Sequence, residues 1–324
     1  VTGISSAPEG GEDTGVRRIW GALGLPGLVD VHTHFMPPNV LRKVWAYFDA
    51  LGEGVWPINP RYRVDQTERV ALLRGFGVRA HTALSYPHRP DMATWLNAWS
   101  ADYADRHPDA LRSATFHPEP GAGDYVAEAI GSGARVFKAH LQVGGYDPRD
   151  PLLSEVWGAL ADSGTPVVVH CGSGPEPGNF TGPGPFEEVL REHPCLTAVI
   201  AHAGAPEYTA FLDLAERYDR VHLDTTMAFT PFTERRSPFP RAELPRLRAL
   251  GHRVLLGSDF PNIPYRYLDQ LRALTGLDLG DDWLRGVLHD NAAALFGLRA
   301  RPDDPAPAPD TGRHHTERER WNSP

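Results

Sequence analysis

Cysteine is scarce: Cys171 and Cys195 are the only two in 324 residues, so the fold cannot rest on a disulfide framework. Long apolar runs are missing as well. None approaches the roughly 18 residues of a membrane span. Basic charge is in deficit, with 32 Lys and Arg against 41 Asp and Glu and a net charge of −9. That balance leaves no electrostatic footprint for nucleic acid, and no Lys/Arg run marks an anionic membrane surface. The stretch from Val1 to Gly15 lacks a basic segment followed by an apolar one. No signal peptide is visible there, and the cytoplasm is the default expectation.

What is present fits a globular enzyme rather than a disordered or fibrous chain, at 41% hydrophobic and 23% charged residues. Residues 1–18 read as a flexible leader, and residues 301–324, Pro/Asp-rich and then charged, as a disordered tail. Between them, 19–300 reads as a single domain in which short apolar runs alternate with amphipathic stretches of helical length. The strands are expected at 28–35, 78–86, 111–116, 135–141, 166–171, 197–202, 221–226 and 254–259. Helices are expected between them, among them 40–51, 66–76, 92–106 and 282–296. Strands alternating with helices imply a parallel sheet, and eight such units close most simply into a (β/α)8 TIM barrel. An open doubly wound sheet usually carries a Gly-rich first turn. Here the first turn is His-rich, with no G-x-G-x-x-G.

The chemistry starts at Leu28-Val29-Asp30-Val31-His32-Thr33-His34-Phe35. Along a strand His32 and His34 point the same way, with Cα atoms roughly 6.6 Å apart at about 3.3 Å per residue. Asp30 has the same parity and is expected to face into the barrel, where a buried carboxylate needs partners. Later apolar runs end on Lys138 and His140, on His170, on His202 and on Asp259. Strand ends of a closed barrel converge on one mouth, where the active site sits. Imidazoles with a carboxylate suit zinc, and also iron, cobalt or manganese.

In this order the motifs resemble the amidohydrolase superfamily of metal-dependent hydrolases. The segments Asp30-Val31-His32-Thr33-His34-Phe35-Met36-Pro37, Ile200-Ala201-His202-Ala203-Gly204 and Gly257-Ser258-Asp259-Phe260-Pro261 resemble its family 2 branch, which also holds aminocarboxymuconate semialdehyde decarboxylase-like enzymes. The resemblance spans residues 25–298. It implies that His32, His34, His170 and Asp259 ligate a divalent transition metal, with Zn2+ the first candidate and one ion per chain favoured. A second ion would add Lys138, carboxylated and bridging, and His202. A divalent ion lowers the pKa of bound water to about 7 and polarises a carbonyl. Asp259 would then accept the proton of that water, and His202 would hydrogen-bond the developing oxyanion. The reaction implied is hydrolysis of an amide, lactone or related C–N or C–O bond. The alternative is non-oxidative decarboxylation of a small unsaturated or aromatic acid. A non-catalytic metal-binding barrel is a third reading, which the intact ligand set argues against.

Candidate substrate contacts are Trp56, Arg61, Tyr86, Arg89, His140, Tyr146 and Phe180, which suggest a ring-bearing or carboxylate-bearing small molecule. The aromatic segment after Met36-Pro37-Pro38, with Trp45, Tyr47 and Phe48, reads equally as a rim helix or as a substrate-facing lid. His81, His88, His117 and His222 lie near the mouth by strand position only, and Cys171 is expected to be a buried, inert thiol. The expected partner is a small-molecule substrate, with neither nucleic acid nor membrane; a homodimer is compatible with such a chain.

Overall fold

Short β-branched runs give short strands, and the structure, a computed structural model, describes residues 11–52 and 54–299. Nine parallel strands appear among them: β1 (Leu28–Asp30), β2 (Val78–Thr82), β3 (Ala110–Leu111), β4 (Ser113–Thr115), β5 (Val136–His140), β6 (Val167–His170), β7 (Ala198–Ile200), β8 (Val221–Asp224) and β9 (Val254–Leu255). β3 and β4 are two halves of one barrel strand, broken at Arg112; β3 pairs with β2 and β4 with β5. The Ser113 hydroxyl bridges the break, accepting from the Ala83 N–H at 2.9 Å and donating to the Leu111 carbonyl at 2.8 Å. β9 meets β1 beyond their regular ladders. Val31 N–H donates to Leu256 O at 2.9 Å, Asp259 N–H to His32 O at 2.8 Å and His34 N–H to Phe260 O at 2.7 Å. The result is a closed (β/α)8 barrel, with the backbone groups of its first and last strands paired to each other.

Alternation along the strands splits the core in two. Val29, Val136, Val168, Val199 and Leu255 fill the barrel's lower interior, closed off below by Ala292 and Phe296. Leu28, Phe137, Val167, Val169 and Ile200 face outward into the larger core under the helices.

The helix expected at 66–76 is observed over Gln66–Phe76, capped by Asp65 through the Glu68 N–H and ended by Gly77 in the left-handed region. The flexible leader expected at 1–18 does not hold over 12–18. Residues 1–10 lie outside the described ones, but Glu12–Ala22 is a helix with Val16 and Glu12 buried. Its anchor is polar: Glu12 Oε1 accepts from the Tyr62 hydroxyl at 2.6 Å and from the Leu268 N–H at 3.3 Å. The tail expected at 301–324 also lies outside the described residues. The single helix expected at 282–296 is instead Asp281–Arg285, a π-turn over Gly286–Asp290, and Asn291–Leu295. At that turn Val287 O accepts from the Leu256 N–H, and Asn291 Nδ2 donates to Gly251 O and Val254 O at 2.7 Å each. The irregular backbone is thus tied to the barrel's last strand. No helix among the described residues is long and apolar enough to cross a membrane.

Candidate metal centre

The first strand does not run straight through its histidines. Its ladder ends at Asp30, and the chain bends at Val31. Asp30, before the bend, keeps the outward parity of Leu28 rather than the inward one expected of it: its Oδ2 accepts from the Tyr267 hydroxyl at 2.9 Å, on a helix outside the barrel. Burial raises its carboxyl to about 7. His32 and His34, beyond the bend, turn into the mouth and meet Asp259. Their ligand atoms and a carboxylate oxygen of Asp259 all lie within 4.8 Å of one another.

Each imidazole is pinned through one nitrogen, which fixes the other. His32 Nδ1 lies 2.8 Å from Asp224 Oδ2, His34 Nδ1 2.9 Å from Leu84 O, and His202 Nδ1 3.1 Å from Thr226 O. His170 is pinned the other way round, with Nε2 2.9 Å from Gly174 O. Carbonyl and carboxylate oxygens only accept, so in every ring the pinned nitrogen carries the proton. The second nitrogen is left as a lone pair, the form in which histidine binds a metal. For His34 that second nitrogen faces Asp259 Oδ1 at 2.8 Å. Two acceptors so close require a cation between them, a proton or a metal ion, and the donor set of two imidazoles and a carboxylate suits a divalent transition metal.

The electrostatics agree. Burial holds the His32 imidazole down to about 3 and keeps those of His170 and His202 below their ordinary value, so these rings are neutral. Burial pushes the Asp259 carboxyl up, but with a proton between it and His34 Nε2 that hydrogen bond and its positive charge hold the carboxyl below the usual carboxylate range. Lys138 Nζ stands 3.3 Å from His32 Nε2, completely buried, and burial lowers its ammonium to about 8. The ring series continues outward: His170 lies 4.8 Å from His202, and His140 stacks on His170 at 4.1 Å. His202 and Asp259 both hold left-handed backbone, at φ 58° and 72°. Residues with a Cβ rarely adopt it without support. The His202 N–H bond to Asp224 Oδ1 at 2.9 Å and the Asp259 N–H bond to His32 O supply it.

Residues 29–298 match the Amidohydrolase family model. The chain belongs to this family. Solved structures share its fold: an uncharacterized TIM-barrel protein from Bordetella bronchiseptica superimposes with a TM-score of 0.66 at 19% identity, over 83% of this chain and 99% of that one. The 5-carboxyvanillate decarboxylase of Novosphingobium aromaticivorans, complexed with manganese and 4-hydroxy-3-methoxy-5-nitrobenzoic acid, gives 0.56 at 15%, over 86% and 97%. A dihydroorotase from Campylobacter jejuni gives 0.53 at 15%, over 86% and 85%. No curated protein matches the sequence significantly.

In this amidohydrolase the barrel mouth opens into a cavity of about 750 Å³. Trp56, Tyr86, Arg89 and His140 line it, as their strand-to-helix positions suggested. Arg61 does not: it turns to the N-terminal helix and pairs with Glu12 at 3.3 Å and Asp13 at 2.6 Å. Tyr146 lies outside the lining too, buried with its ring 5.4 Å from that of His117, and Phe180 is likewise absent from the lining. Loop residues follow their nearest packing partner, which strand order does not reveal. Of His81, His88, His117 and His222, His88 alone lines the cavity, while His81 is buried against Tyr103, its Nε2 2.9 Å from the hydroxyl.

Two features went unread in the sequence. Asp224 ends β8, fully buried, and orients both His32 and the His202 backbone. The signal was there, since Val221-His222-Leu223-Asp224 is an apolar run ending in a ligand-type residue like the others. Gly257 is the second: a Cβ there would meet Thr226 Oγ1 at 2.1 Å and His32 Cβ at 2.9 Å, so only glycine lets the chain beyond β9 pass this close to the His32–Asp224 pair.

Proposed function

We propose that this amidohydrolase is a metal-dependent hydrolase of a small molecule, cleaving an amide, lactone or related C–N or C–O bond. His32, His34, His170 and Asp259 would hold a divalent transition metal, zinc before manganese given three imidazoles in the set. The observation that carries the reading is the pinning of four of the five strand-end histidines, all but His140, in the tautomers that leave a lone pair for a cation. A divalent ion held there supplies Lewis acidity toward a carbonyl oxygen.

The protein's own groups do the proton work. Ionised Asp259 accepts the proton of the attacking water and returns it to the leaving group. Neutral His202, with its Nδ1 proton committed to Thr226 O, presents an Nε2 lone pair. It therefore acts as an acceptor or as a ligand to a second ion, and donates to an oxyanion only after taking up a proton. Lys138, buried 3.3 Å from His32 Nε2, supports hydrolysis over decarboxylation, because a neutral amine there can be carboxylated and join the ligand set. If Lys138 is carboxylated, Lys138→Ala should lower metal content from about two ions per chain to about one; one ion in the parent protein and no carboxylation, the favoured arrangement, would mean a mononuclear site.

Decarboxylation of an unsaturated or aromatic acid is the second reading. It is favoured by Arg89 in the cavity, where it can hold a carboxylate. Turnover of a panel of lactones, amides and unsaturated acids in 18O-labelled water separates the two. Hydrolysis places label in the product without carbon dioxide; carbon dioxide release as the sole activity would overturn the proposal.

A further inference from the structure

The helix Pro38–Ala50 carries its apolar stripe on an unusual side. Val40, Val44, Tyr47 and Phe48 stand at i, i+4, i+7 and i+8, the spacing of one helical face. Such a face normally packs on a core, yet Leu41 alone in this helix is buried, and the stripe lines the cavity over the metal centre. The helix is fixed there by Asn262, which accepts from Trp45 Nε1 at 3.0 Å through its side chain and from Trp56 Nε1 at 2.8 Å through its backbone. Met92 and Trp95 line the same cavity. At the rim Tyr47 and Trp95 remain 61% and 44% exposed, large apolar groups with nothing folded over them.

Charge at this wall is just as selective. The chain uses arginine for thirty of its 32 basic residues; its two lysines are Lys43 and Lys138, and both line this cavity. Lys43 lies on the apolar helix itself. Neither it nor Arg89 has an ion-pair partner among the described residues, so both cations are free to meet an anion in the cavity. The rim carboxylate, Asp91, sits two residues from Arg89 without bridging to it.

A cavity of about 150 Å³ is enough for one benzene ring. At about 750 Å³ this one holds much more. We infer that the substrate is an elongated amphipathic anion: an apolar body of two rings or equivalent length lies along Val44, Tyr47 and Trp95, and an anionic group is taken by Lys43 and Arg89, apart from the bond that is cleaved at the metal centre. The inference rests on the reading of this cavity as the substrate site and names the class of molecule it takes.

The test is a binding series on the zinc-loaded protein by calorimetry, with benzoate, biphenyl-4-carboxylate and biphenyl-4-carboxamide as probes. Biphenyl-4-carboxylate should bind about tenfold or more tighter than benzoate, equivalent to about 1.4 kcal/mol, and similarly tighter than its carboxamide. Val44→Trp, filling the wall, should remove the two-ring advantage. Tyr47→Ala, at an exposed position that cannot threaten folding, should lower it severalfold. Lys43→Ala with Arg89→Ala should abolish the preference for carboxylate over carboxamide. Equal binding of one-ring and two-ring acids, or an unchanged carboxylate preference in the double variant, overturns the inference; the latter would place the carboxylate on the ion. The series reads no turnover, so a protein that discriminates as stated yet releases only carbon dioxide loses the hydrolytic reading alone. Label uptake without discrimination loses the subsite alone.

Discussion

Two cavities of nearly equal size lie at opposite ends of the barrel, about 750 Å³ at the strands' C-terminal mouth and about 730 Å³ at their N-terminal ends. Volume does not distinguish them; the commitment of their polar groups does. At the N-terminal end Arg112 pairs with Asp105, Asp109 is clamped by both ends of the Arg74 guanidinium at 2.7 Å, and Arg135 and Arg285 donate to the Phe296 and Leu23 carbonyls. There, charge closes the chain on itself. At the mouth, four imidazoles each keep a lone pair, and Lys138, Lys43 and Arg89 have no ion-pair partner among the described residues. Groups held in place but left unsatisfied mark a site built for something else to complete.

The largest effect that sharpens this contrast is at Asp259. Asp259→Asn should abolish turnover, since an amide cannot accept the proton, whereas Arg112→Ala at the other end should leave steady-state rates unchanged. Next comes Asp224→Asn. The single remaining carbonyl oxygen would be claimed by the His202 and Thr226 N–H groups, turning the NH2 toward His32 Nδ1. That forces the His32 proton onto Nε2 and blocks the ligand lone pair. Metal affinity, measured by chelator competition, should fall about 10–100-fold.

Asp30 provides a pH test with a worked sign. Its carboxyl is raised from 3.8 to about 7 by burial, so its contribution to stability is complete below pH 3.8 and is lost as pH rises through 7. Neutral buried imidazoles act in the opposite sense, which makes the difference from Asp30→Asn the useful quantity. Between pH 4 and 7 the Tm of the parent protein should drop relative to that of Asp30→Asn; a constant gap would mean that Asp30 does not titrate there. The smallest effect belongs to Arg61→Ala. Its partly exposed ion pairs with Glu12 and Asp13 are worth about 1 kcal/mol or less. Thermal denaturation should show that loss, with KM unchanged.

The sequence made the barrel and the strand-end histidines legible because both follow from local pattern: apolar runs of strand length, each ending on a residue able to bind metal. Asp224 met the same criterion in β8 and was passed over. What local pattern could not reveal is direction after a bend. Asp30 shares its parity in the sequence with His32, but the bend at Val31 turns only the histidines into the mouth and leaves Asp30 facing outward on Tyr267, 237 positions away. Arg61 and Tyr146 failed for a related reason, as loop side chains settle on whichever partner packs beside them. The Glu12–Ala22 helix was hidden because its anchors, Tyr62 and Leu268, are remote in sequence. The lid-or-rim question for Pro38–Ala50 needed the cavity itself, since an apolar stripe looks the same whether it faces core or substrate.

The central claim is that the mouth, and not the opposite cavity, is completed by a metal ion, and elemental analysis of protein purified without added metal tests it directly. The parent protein and Arg112→Ala should both carry at least one transition-metal ion per chain, and His32→Ala with His34→Ala should carry almost none. Equal metal content in the parent and the double-histidine variant, or no metal taken up by the parent even from zinc-supplemented buffer, would contradict the account.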